Sequence, residues 1–436
     1  MDLSKLIGLG VFAAYLPFIL LKRVEQVRRS YILYILCIYP FIDLFITPVR
    51  FGAFTAFDGI SLISFLVLFS RLQFTFTKNG RYLTLFLALL FVLLVGAVQS
   101  EYVAAALLPF VKLILLFFFA KCILDEVNEN PAFGLQLIRL LKIMALISLL
   151  VLAFQLVLGL RFTIYPVLNT NTNTGAESAL RFPSFFHDAQ KYAQFAAMAS
   201  FLFFINTQQK PLSVLKRLVL FGAVVAGLIL SGGRAAFLGL SVGIAFLILM
   251  GPLKYKLLGL LGIGMVILIG LSVGDKIPLF NRSESVDESY EIRNRYWQQA
   301  LRIWEEHQTW GIGIGNYQNY VAQYARDQFW LMENGDILYF DHPESGYLKF
   351  LVEFGLIGFI LSMLFVLIPV GSFFTAYLRH RCFIPFFLIA SIISWMISFT
   401  TVYTLSDLRI SVLLCTLLCL LIKSNPIFAP LCSPRS

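Results

Sequence analysis

The sequence predicts an all-α polytopic membrane protein with about 12–14 transmembrane helices. Of its 436 residues, 59% are hydrophobic and 13% are charged, whereas soluble globular domains are about half apolar and a quarter charged. The apolar residues form many runs of near membrane-spanning length. These runs are continuous rather than alternating, which is typical of helices and not of the strands of a membrane β-barrel.

Thirteen apolar runs are predicted to be spans. The first three are short, so an interfacial or re-entrant segment among them is an open alternative. The predicted spans are near residues 6–21, 31–48, 59–72, 82–98, 102–120, 140–160, 192–206, 217–231, 235–250, 257–273, 347–370, 383–401 and 408–422.

Basic residues occupy every second loop between these runs. They are Lys22, Arg23, Arg28, Arg29, Arg71, Lys78, Arg81, Lys121, Arg139, Lys142, Lys210, Lys216, Arg217, Lys254, Lys256, Arg379 and Arg381. The positive-inside rule assigns these loops to the cytoplasm and the alternate loops to the outside. Orientation in a lipid bilayer therefore explains the net charge of +10, and no nucleic-acid partner is predicted.

Two long segments then fall on the outer side, near 161–191 and 274–346. The second holds 12 of the 24 acidic residues and only six Lys or Arg. We expect transmembrane helices with short loops and one outer loop over 1–273, and a large extracytoplasmic loop with amphipathic helices over 274–346. C-terminal transmembrane helices and a short cytoplasmic tail follow over 347–436. The functional site is expected to face outward.

Ionisable residues within the spans are few. Asp43, Lys112 and Glu353 stand in apolar surroundings, which makes them functional candidates. They are scattered, and no internal repeat accompanies them, so they do not outline an ion path.

The six cysteines lie in apolar runs or predicted cytoplasmic loops. They predict neither a disulfide framework nor a zinc site, and no cofactor is predicted.

The large outer loop contains the stretch YEIRNRYWQQALRIWEEHQTWGIGIGNY. Apolar residues recur in it at helical spacing, which predicts an amphipathic helix along the membrane surface. Arg293 and Arg295 are expected near the start of this helix, where an anion would meet guanidinium groups and free backbone N–H donors. Arg295 and Trp297 are also candidate glycan contacts.

The glycines after Trp310 lack the spacing of a nucleotide-binding loop and predict a tight turn at the helix end.

The stretch LILSGGRAAFLGL, residues 228–240, sets Arg234 between two apolar runs that are too close together for a separate loop. The polar residues before it, Ser231 to Gly233, allow a turn at the outer surface. An arginine at an interface is often only a snorkelling side chain. Arg234 is predicted on the outer side, however, where the positive-inside rule disfavours Lys and Arg. Arg234 is therefore a candidate anion ligand.

The stretch ALRFPSFFHDAQKYAQFAAM, residues 179–198, lies at the outer mouth of a predicted span. Aromatic rings mixed with amides suit sugar recognition, and they also suit an ordinary interfacial belt. Arg181 is a third candidate anion ligand, and Gln190 and Gln194 are candidate glycan contacts. Three outer arginines favour a polyanion such as a diphosphate, which guanidinium groups bind through paired donors.

The stretch DHPESGYLKFLVEFGLIGF, residues 341–359, ends the large outer loop and begins a span. A hydroxyl that attacks beside a diphosphate needs a base. His342 and Glu344 are the two candidates. Histidine in general has the better unperturbed pKa, near 6.5, against about 4.3 for glutamate.

Three of these stretches resemble the O-antigen ligase and O-antigen polymerase superfamily of bacterial inner-membrane glycosyltransferases. SGGRAAFLGL resembles the family's arginine at a span end, and IRNRYWQQALRIWEEHQTWGIGIGNY resembles its Arg…Trp…Gly-x-Gly segment. HPESGYLKFLVEFGLIGF resembles its His-Asn…Leu…Glu-x-Gly stretch. The resemblance covers about the second half of the chain. It implies a GT-C-like helical architecture and an active site on the periplasmic face of the cytoplasmic membrane.

The resemblance also implies roles for individual residues. Arg234 and Arg293 would bind the lipid diphosphate, and Arg293 is preferred to Arg295 because it precedes Trp297 by four positions.

The third motif departs from the family's pattern. Ligases commonly read His-Pro-His-Asn and align their catalytic histidine with Glu344, whereas this chain reads His342-Pro343-Glu344-Ser345. Either His342 acts from two residues away or a carboxylate replaces the imidazole. The departure favours a polymerase of repeat units over a ligase.

The expected activity is metal-independent transfer between undecaprenyl-diphosphate-linked glycans, which polymerises O-antigen or exopolysaccharide repeat units. Ligation of polymer to lipid A core is the runner-up. The alternative from another class is a polysaccharide-lipid flippase or transporter, in which Lys112 and Asp43 would matter more than Arg234. A non-catalytic scaffold would leave the outer arginines unexplained.

Expected partners are the lipid-linked donor, a glycan or lipid A core acceptor, the bilayer and other polysaccharide-assembly proteins.

Overall fold

The structure is a computed structural model, and 15 α-helices dominate the part of the chain that it describes. It describes residues 3–21, 24–49, 52–70, 80–160, 162–163, 165, 181–207, 213–251, 256, 286–324, 329–331, 337–339, 342–380 and 382–432. Two 3-10 turns and two short antiparallel hairpins accompany the helices. The chain is an all-α polytopic membrane protein, and the predicted fold class is confirmed.

The helices are α1 (Leu3–Leu20), α2 (Val24–Cys37), α3 (Ala56–Ser70), α4 (Gly80–Gln99), α5 (Val103–Glu129), α6 (Ala132–Leu158), α7 (Ala189–Ser200), α8 (Val214–Ser231), α9 (Arg234–Met250), α10 (Val286–Glu306), α11 (Tyr317–Tyr324), α12 (Gly346–His380), α13 (Pro385–Ser398), α14 (Leu408–Ile422) and α15 (Ser424–Cys432). The 3-10 turns are Tyr39–Phe41 and Phe201–Phe204. Strand β1 (Phe45–Val49) pairs with β2 (Gly52–Thr55), and β3 (Phe329–Leu331) pairs with β4 (Ile337–Tyr339).

Six of the described helices are long and apolar enough to cross a membrane, namely α1, α4, α5, α6, α8 and most of α12. Four more, α3, α9, α13 and α14, are apolar but shorter. The predicted span at 257–273 lies outside the described residues, as do residues 166–180 and 274–285 of the two predicted outer loops.

The predicted span at 31–48 is wrong. Helix α2 ends at Cys37, and the chain continues through the 3-10 turn into the β1–β2 hairpin. Pro40 is the physical reason, because its ring fixes φ, removes an N–H donor and disfavours helix at the preceding residue. Arg28 and Arg29, predicted in a cytoplasmic loop, are instead inside α2.

The predicted span at 192–206 is shorter than expected. Helix α7 ends at Ser200 and continues only as a 3-10 turn to Phe204.

Basic residues from the predicted cytoplasmic side gather at one end of the helices. Arg28, near the start of α2, pairs with Glu126 near the end of α5, with 3.2 Å between Nε and Oε2. Arg139, near the start of α6, donates to the carbonyl of Thr207 at 2.6 Å. This grouping is what the positive-inside rule predicts of the cytoplasmic ends.

A second set of polar contacts lies at the other ends of the same helices, which we call the site end. Asn316, fully buried before α11, donates to the hydroxyl of Ser100 at 2.7 Å after α4. The backbone N–H of Gly346 donates to the carbonyl of Phe399 at 2.9 Å. These bonds tie the start of α12 and the segment before α11 to neighbouring helix ends.

Helix α12 is broken at Gly355, where φ is +65°. The loop 307–316 docks on this break, and the N–H of Ile312 donates to the carbonyl of Val352 at 3.1 Å. A Cβ on Gly311 would clash with the backbone N of Gly355, so the close approach requires glycine. The break divides α12 into a short segment before Gly355 and a longer segment after it.

The glycine turn predicted after Trp310 is confirmed. Gly311, Gly313 and Gly315 all have positive φ, which favours glycine, and they follow the end of α10.

A small second core lies at the site end, apart from the main core of the bundle. Its buried members come from α10, α11, the glycine loop and the first turns of α12: Ala300, Ile303, Ile312, Tyr317, Tyr320, Val321 and Val352. Of the apolar residues in the helical pattern of α10, Ala300 is buried in this core and Trp304 packs against it. This core holds α10 and the start of α12 together as one packed unit.

The expectation that the cysteines form no disulfide is wrong for Cys382, which is disulfide-bonded. Cysteine spacing carries no information about which positions the fold brings together. Cys37, Cys122, Cys415 and Cys419 are free.

Candidate functional site

A cavity of about 220 Å³ at the site end is lined by four segments of the chain. Gln190 and Gln194 come from α7, Arg234 from the start of α9 and Arg293 from α10. Ser398, at the end of α13, and Thr401 and Val402 after it also line the cavity. The volume is below the usual 300–1,000 Å³ of a ligand pocket. All the lining side chains are therefore within reach of one ligand.

Arg234 is delivered to the cavity by a glycine turn. Helix α8 ends at Gly232, whose φ of +70° reverses the chain, and Gly233 precedes α9. A Cβ on Gly233 would clash with the Cβ of Ala193 in α7, so the turn packs directly on that helix. Arg234 is exposed and is the first residue of α9, where the helix dipole adds positive potential.

Arg293 lines the same cavity and pairs with Glu344. The distance between Arg293 Nε and Glu344 Oε2 is 3.1 Å, and each side chain is about one-third exposed, at 33% and 32%. Helix α10 spans Val286–Glu306, so Arg293 is not at the helix start and its neighbouring N–H groups are used within the helix. The prediction of free backbone donors beside it is wrong, because the helix extends further toward the N-terminus than its apolar pattern indicates.

Arg295 has a different environment. It pairs with Glu291, one turn earlier on α10, at 3.0 Å, and the two side chains are 58% and 70% exposed. Arg295 and Trp297 are not among the described residues that line the cavity, and Trp297 is half-buried on α10. Of these two arginines, Arg293 lines the cavity and Arg295 does not.

The two candidate bases differ in position. Glu344 has a φ of +47°, a left-handed conformation that is unfavourable for a residue with a Cβ, and its carboxylate contacts Arg293. Ser345 follows it and caps α12, its hydroxyl accepting from the N–H of Leu348 at 3.4 Å. His342 is exposed two residues earlier. Backbone strain held by the surrounding structure is common at functional sites.

Arg181 is buried beside the turn that carries Arg234. A Cβ on Gly232 would lie 3.4 Å from Arg181 Cγ, Cδ and Nε, so the arginine stem packs along this turn. Its neighbour in the same stretch, His187, packs edge-on against Tyr165, and burial together with Lys191 lowers the pKa of the imidazole.

Each of the ionisable residues predicted within spans has a counterion. Lys112 Nζ is 3.4 Å from a carboxylate oxygen of Asp58, and Lys349 Nζ is 3.7 Å from Glu353. Asp43 pairs with a fully buried arginine, described next. These contacts give all three residues a structural role.

A buried charge cluster at Arg409 was not predicted from the sequence. Its guanidinium bonds Asp407 through Nε at 2.9 Å and Nη2 at 2.6 Å, and Nη2 is also 3.3 Å from Asp43. Nη1 donates to the carbonyl of Phe185 at 2.5 Å. The cluster thus fixes the segment between Arg181 and α7. The sequence SDLRIS places the opposite charges of Asp407 and Arg409 at the start of an apolar run, and this pattern could have indicated a buried ion pair.

One protein family matches part of the chain. Residues 218–363 match the protein family described as O-antigen ligase. The matched segment includes Arg234, Arg293, His342 and Glu344. No curated protein matches the chain. The resemblance to the O-antigen ligase and polymerase superfamily is thereby confirmed over residues 218–363.

Proposed function

We propose that the protein polymerises O-antigen or exopolysaccharide repeat units carried on undecaprenyl diphosphate, at the periplasmic face of the bacterial cytoplasmic membrane. The family match indicates a glycosyltransferase-like ligase or polymerase activity in a multi-pass membrane protein. The observation that carries the finer proposal is the cavity that Arg234 and Arg293 share with two glutamines.

In the proposed reaction the two arginines bind the diphosphate of the donor. Guanidinium groups match phosphate oxygens through paired donors, and the start of α9, which has no side-chain cap, adds positive potential beside Arg234. The negative charge that develops on the departing diphosphate is thus neutralised where it forms. Because the diphosphate is already an activated leaving group, the proposal requires no metal.

The attacking group is a hydroxyl of the acceptor glycan. Glu344 or His342 removes its proton as the hydroxyl oxygen bonds to the anomeric carbon of the donor sugar. The bond between that carbon and the diphosphate oxygen breaks, and its electron pair leaves with undecaprenyl diphosphate. Glu344 is favoured because its carboxylate contacts Arg293, which lines the cavity.

The second candidate function is ligation of finished polymer to lipid A core, since the matching family is described as O-antigen ligase. The experiment that separates the candidates uses purified protein and lipid-linked repeat units. We expect glycan chains to lengthen with repeat units alone. Product that forms only after lipid A core is added would indicate a ligase, and no product under either condition would favour transport.

A further inference from the structure

Three cations from two helices converge on one short turn, at the end of the bundle opposite the site end. Arg139 and Lys142 of α6 and Arg217 of α8 all donate to backbone carbonyls of residues 204–207, at 2.6 Å for Arg139 and 3.5 Å for Arg217. The two guanidinium groups lie near enough to Lys142 to repel its charge. We call these three side chains the basic cluster.

The elements that build the basic cluster contain no acidic residue. Helix α6 has no Asp or Glu, and the sequence has none between Asp188 and Asp275, a stretch that includes the turn and α8. Lys121, at the same end of the bundle, is by contrast neutralised by Asp125, with 2.6 Å between Nζ and a carboxylate oxygen. A backbone carbonyl has no net charge to offset the repulsion among three cations, so an anion beside them is stabilised.

An exposed apolar face continues from the basic cluster along α6. Ile143, Leu146 and Leu150 follow Arg139 at helical spacing, which places all four residues on one side of the helix. The three apolar side chains are exposed, and α6 is long and apolar enough to cross a membrane. This side of α6 therefore offers a cation at one end and an apolar surface beyond it, which suits an amphiphile better than a soluble anion.

We propose that the basic cluster binds an anionic phospholipid, with the lipid phosphate beside Arg139, Lys142 and Arg217 and one acyl chain along the exposed face of α6. Basic pockets between membrane helices on the cytoplasmic side bind such headgroups, and the positive-inside rule predicts that this end is cytoplasmic. A guanidinium has five N–H donors, so the bond from Arg139 to its carbonyl leaves donors for a phosphate. The lipid bridges α6 and α8, and the inference is independent of the reaction at the site end.

The test measures lipid binding to the full-length protein in detergent by native mass spectrometry. The protein is titrated with phosphatidylglycerol and, separately, with zwitterionic phosphatidylcholine of the same acyl chains. The ratio of the dissociation constants for the first bound lipid gives the headgroup preference. We expect wild type to prefer phosphatidylglycerol, and Arg139→Gln to lower that preference roughly 5-fold. The double variant Arg139→Gln, Arg217→Gln is expected to lower it further.

Two control variants separate a built site from general charge. Lys121→Gln removes a cation that Asp125 already neutralises at the same end, and we expect the wild-type preference. The double variant Arg139→Lys, Arg217→Lys keeps both charges and is expected to keep most of the preference.

Equal affinity of wild type for the two lipids would overturn the inference. A fall in Lys121→Gln as large as that in Arg139→Gln would also overturn it, because it would indicate only the overall charge of this end. Inorganic phosphate that binds as tightly as phosphatidylglycerol would contradict the role of the apolar face. If the double glutamine variant does not fold, Arg139→Gln alone decides the question, since Arg139 is exposed.

Discussion

The ion pair between Arg293 and Glu344 joins a candidate anion ligand to a candidate base. Both side chains are about one-third exposed, and pairs of this kind contribute only about 0–1 kcal/mol. A diphosphate with several charged oxygens therefore competes well for Arg293. In the proposed site, donor binding would free the Glu344 carboxylate beside the acceptor hydroxyl.

Glu344→Gln separates binding from turnover. Without the competing carboxylate, we expect binding of undecaprenyl diphosphate to tighten roughly 2- to 5-fold. Loss of a general base is expected to lower kcat by about 100-fold or more. Isothermal titration and single-turnover rates measure the two effects on one preparation.

His342→Ala is the matched variant, since it removes the other candidate base without touching the ion pair. Slow turnover in His342→Ala with normal rates in Glu344→Gln would reverse the assignment. Normal rates in both variants would exclude a base at either position.

Much of the residue-level site was predictable from sequence, because its members are polar residues at the ends of apolar runs. Arg234, Arg293, Gln190 and Gln194 were all identified in this way, and the structure brings them to one cavity. The Arg409 cluster was not identified. Asp407 is two positions from Arg409, but Asp43 and Phe185 are hundreds of positions away, and their meeting with Arg409 depends on tertiary packing rather than on local pattern.

At the scale of elements, the break in α12 sets the position of Glu344. Gly355 has a φ of +65°, and a Cβ there would clash with the carbonyl oxygen of Thr309. We expect Gly355→Ala to destabilise the protein by roughly 2–4 kcal/mol, from the left-handed backbone and the overlap. Thermal unfolding in detergent, together with chain-growth activity, measures the loss.

Gly371→Ala is the control on the same helix, since a Cβ there meets nothing within 4 Å. Alanine is the better helix former, so this variant should be unchanged or slightly more stable, by up to about 1 kcal/mol. Equal stability of the two variants would contradict a structural role for the break.

The short segment between the 3-10 turn Tyr39–Phe41 and β1 carries a buried carboxyl with a raised pKa. Asp43 lies outside the helices, and burial and the Asp407 carboxylate raise its pKa to about 7, against the opposing effects of Arg409, Lys191 and Lys112. An acid whose pKa is raised on folding binds its proton more tightly in the folded state. Its contribution to stability is therefore lost as pH rises from about 4 to about 7.

Asp43→Asn tests this dependence. We expect wild type to lose melting temperature between pH 5.5 and pH 8 relative to Asp43→Asn, which has no proton to release. Melting curves at a series of pH values measure the difference between the two proteins. Parallel curves across this range would show that Asp43 keeps the same protonation in the folded and unfolded chains.

Element boundaries were predicted less well than element types. The apolar run at 31–48 has the composition of a span, yet Pro40 ends the helix and a hairpin follows. Helix α10 extends beyond the apolar pattern that identified it, because its first turns are polar. Local composition indicates whether a segment is apolar, and backbone constraints decide where its helix ends.

For the whole molecule, the polar groups of interest converge on one end of a largely apolar bundle. The small second core packs α10 against the start of α12 and so links the elements that carry Arg293 and Glu344. Helices α7, α9 and α13 supply the facing wall. This arrangement suits a reaction in which the lipid tail stays in the bilayer and the glycans meet at its surface.

The measurement that tests the central claim most directly is binding of undecaprenyl diphosphate to wild type, Arg234→Ala, Arg293→Ala and Arg295→Ala. Arg295 is the matched control, since it lies two positions from Arg293 and pairs on the exposed surface with Glu291. Removing either cavity arginine should weaken binding roughly 10- to 100-fold, while Arg295→Ala should bind like wild type. Wild-type affinity in Arg234→Ala and Arg293→Ala, or an equal loss in all three variants, would contradict the account.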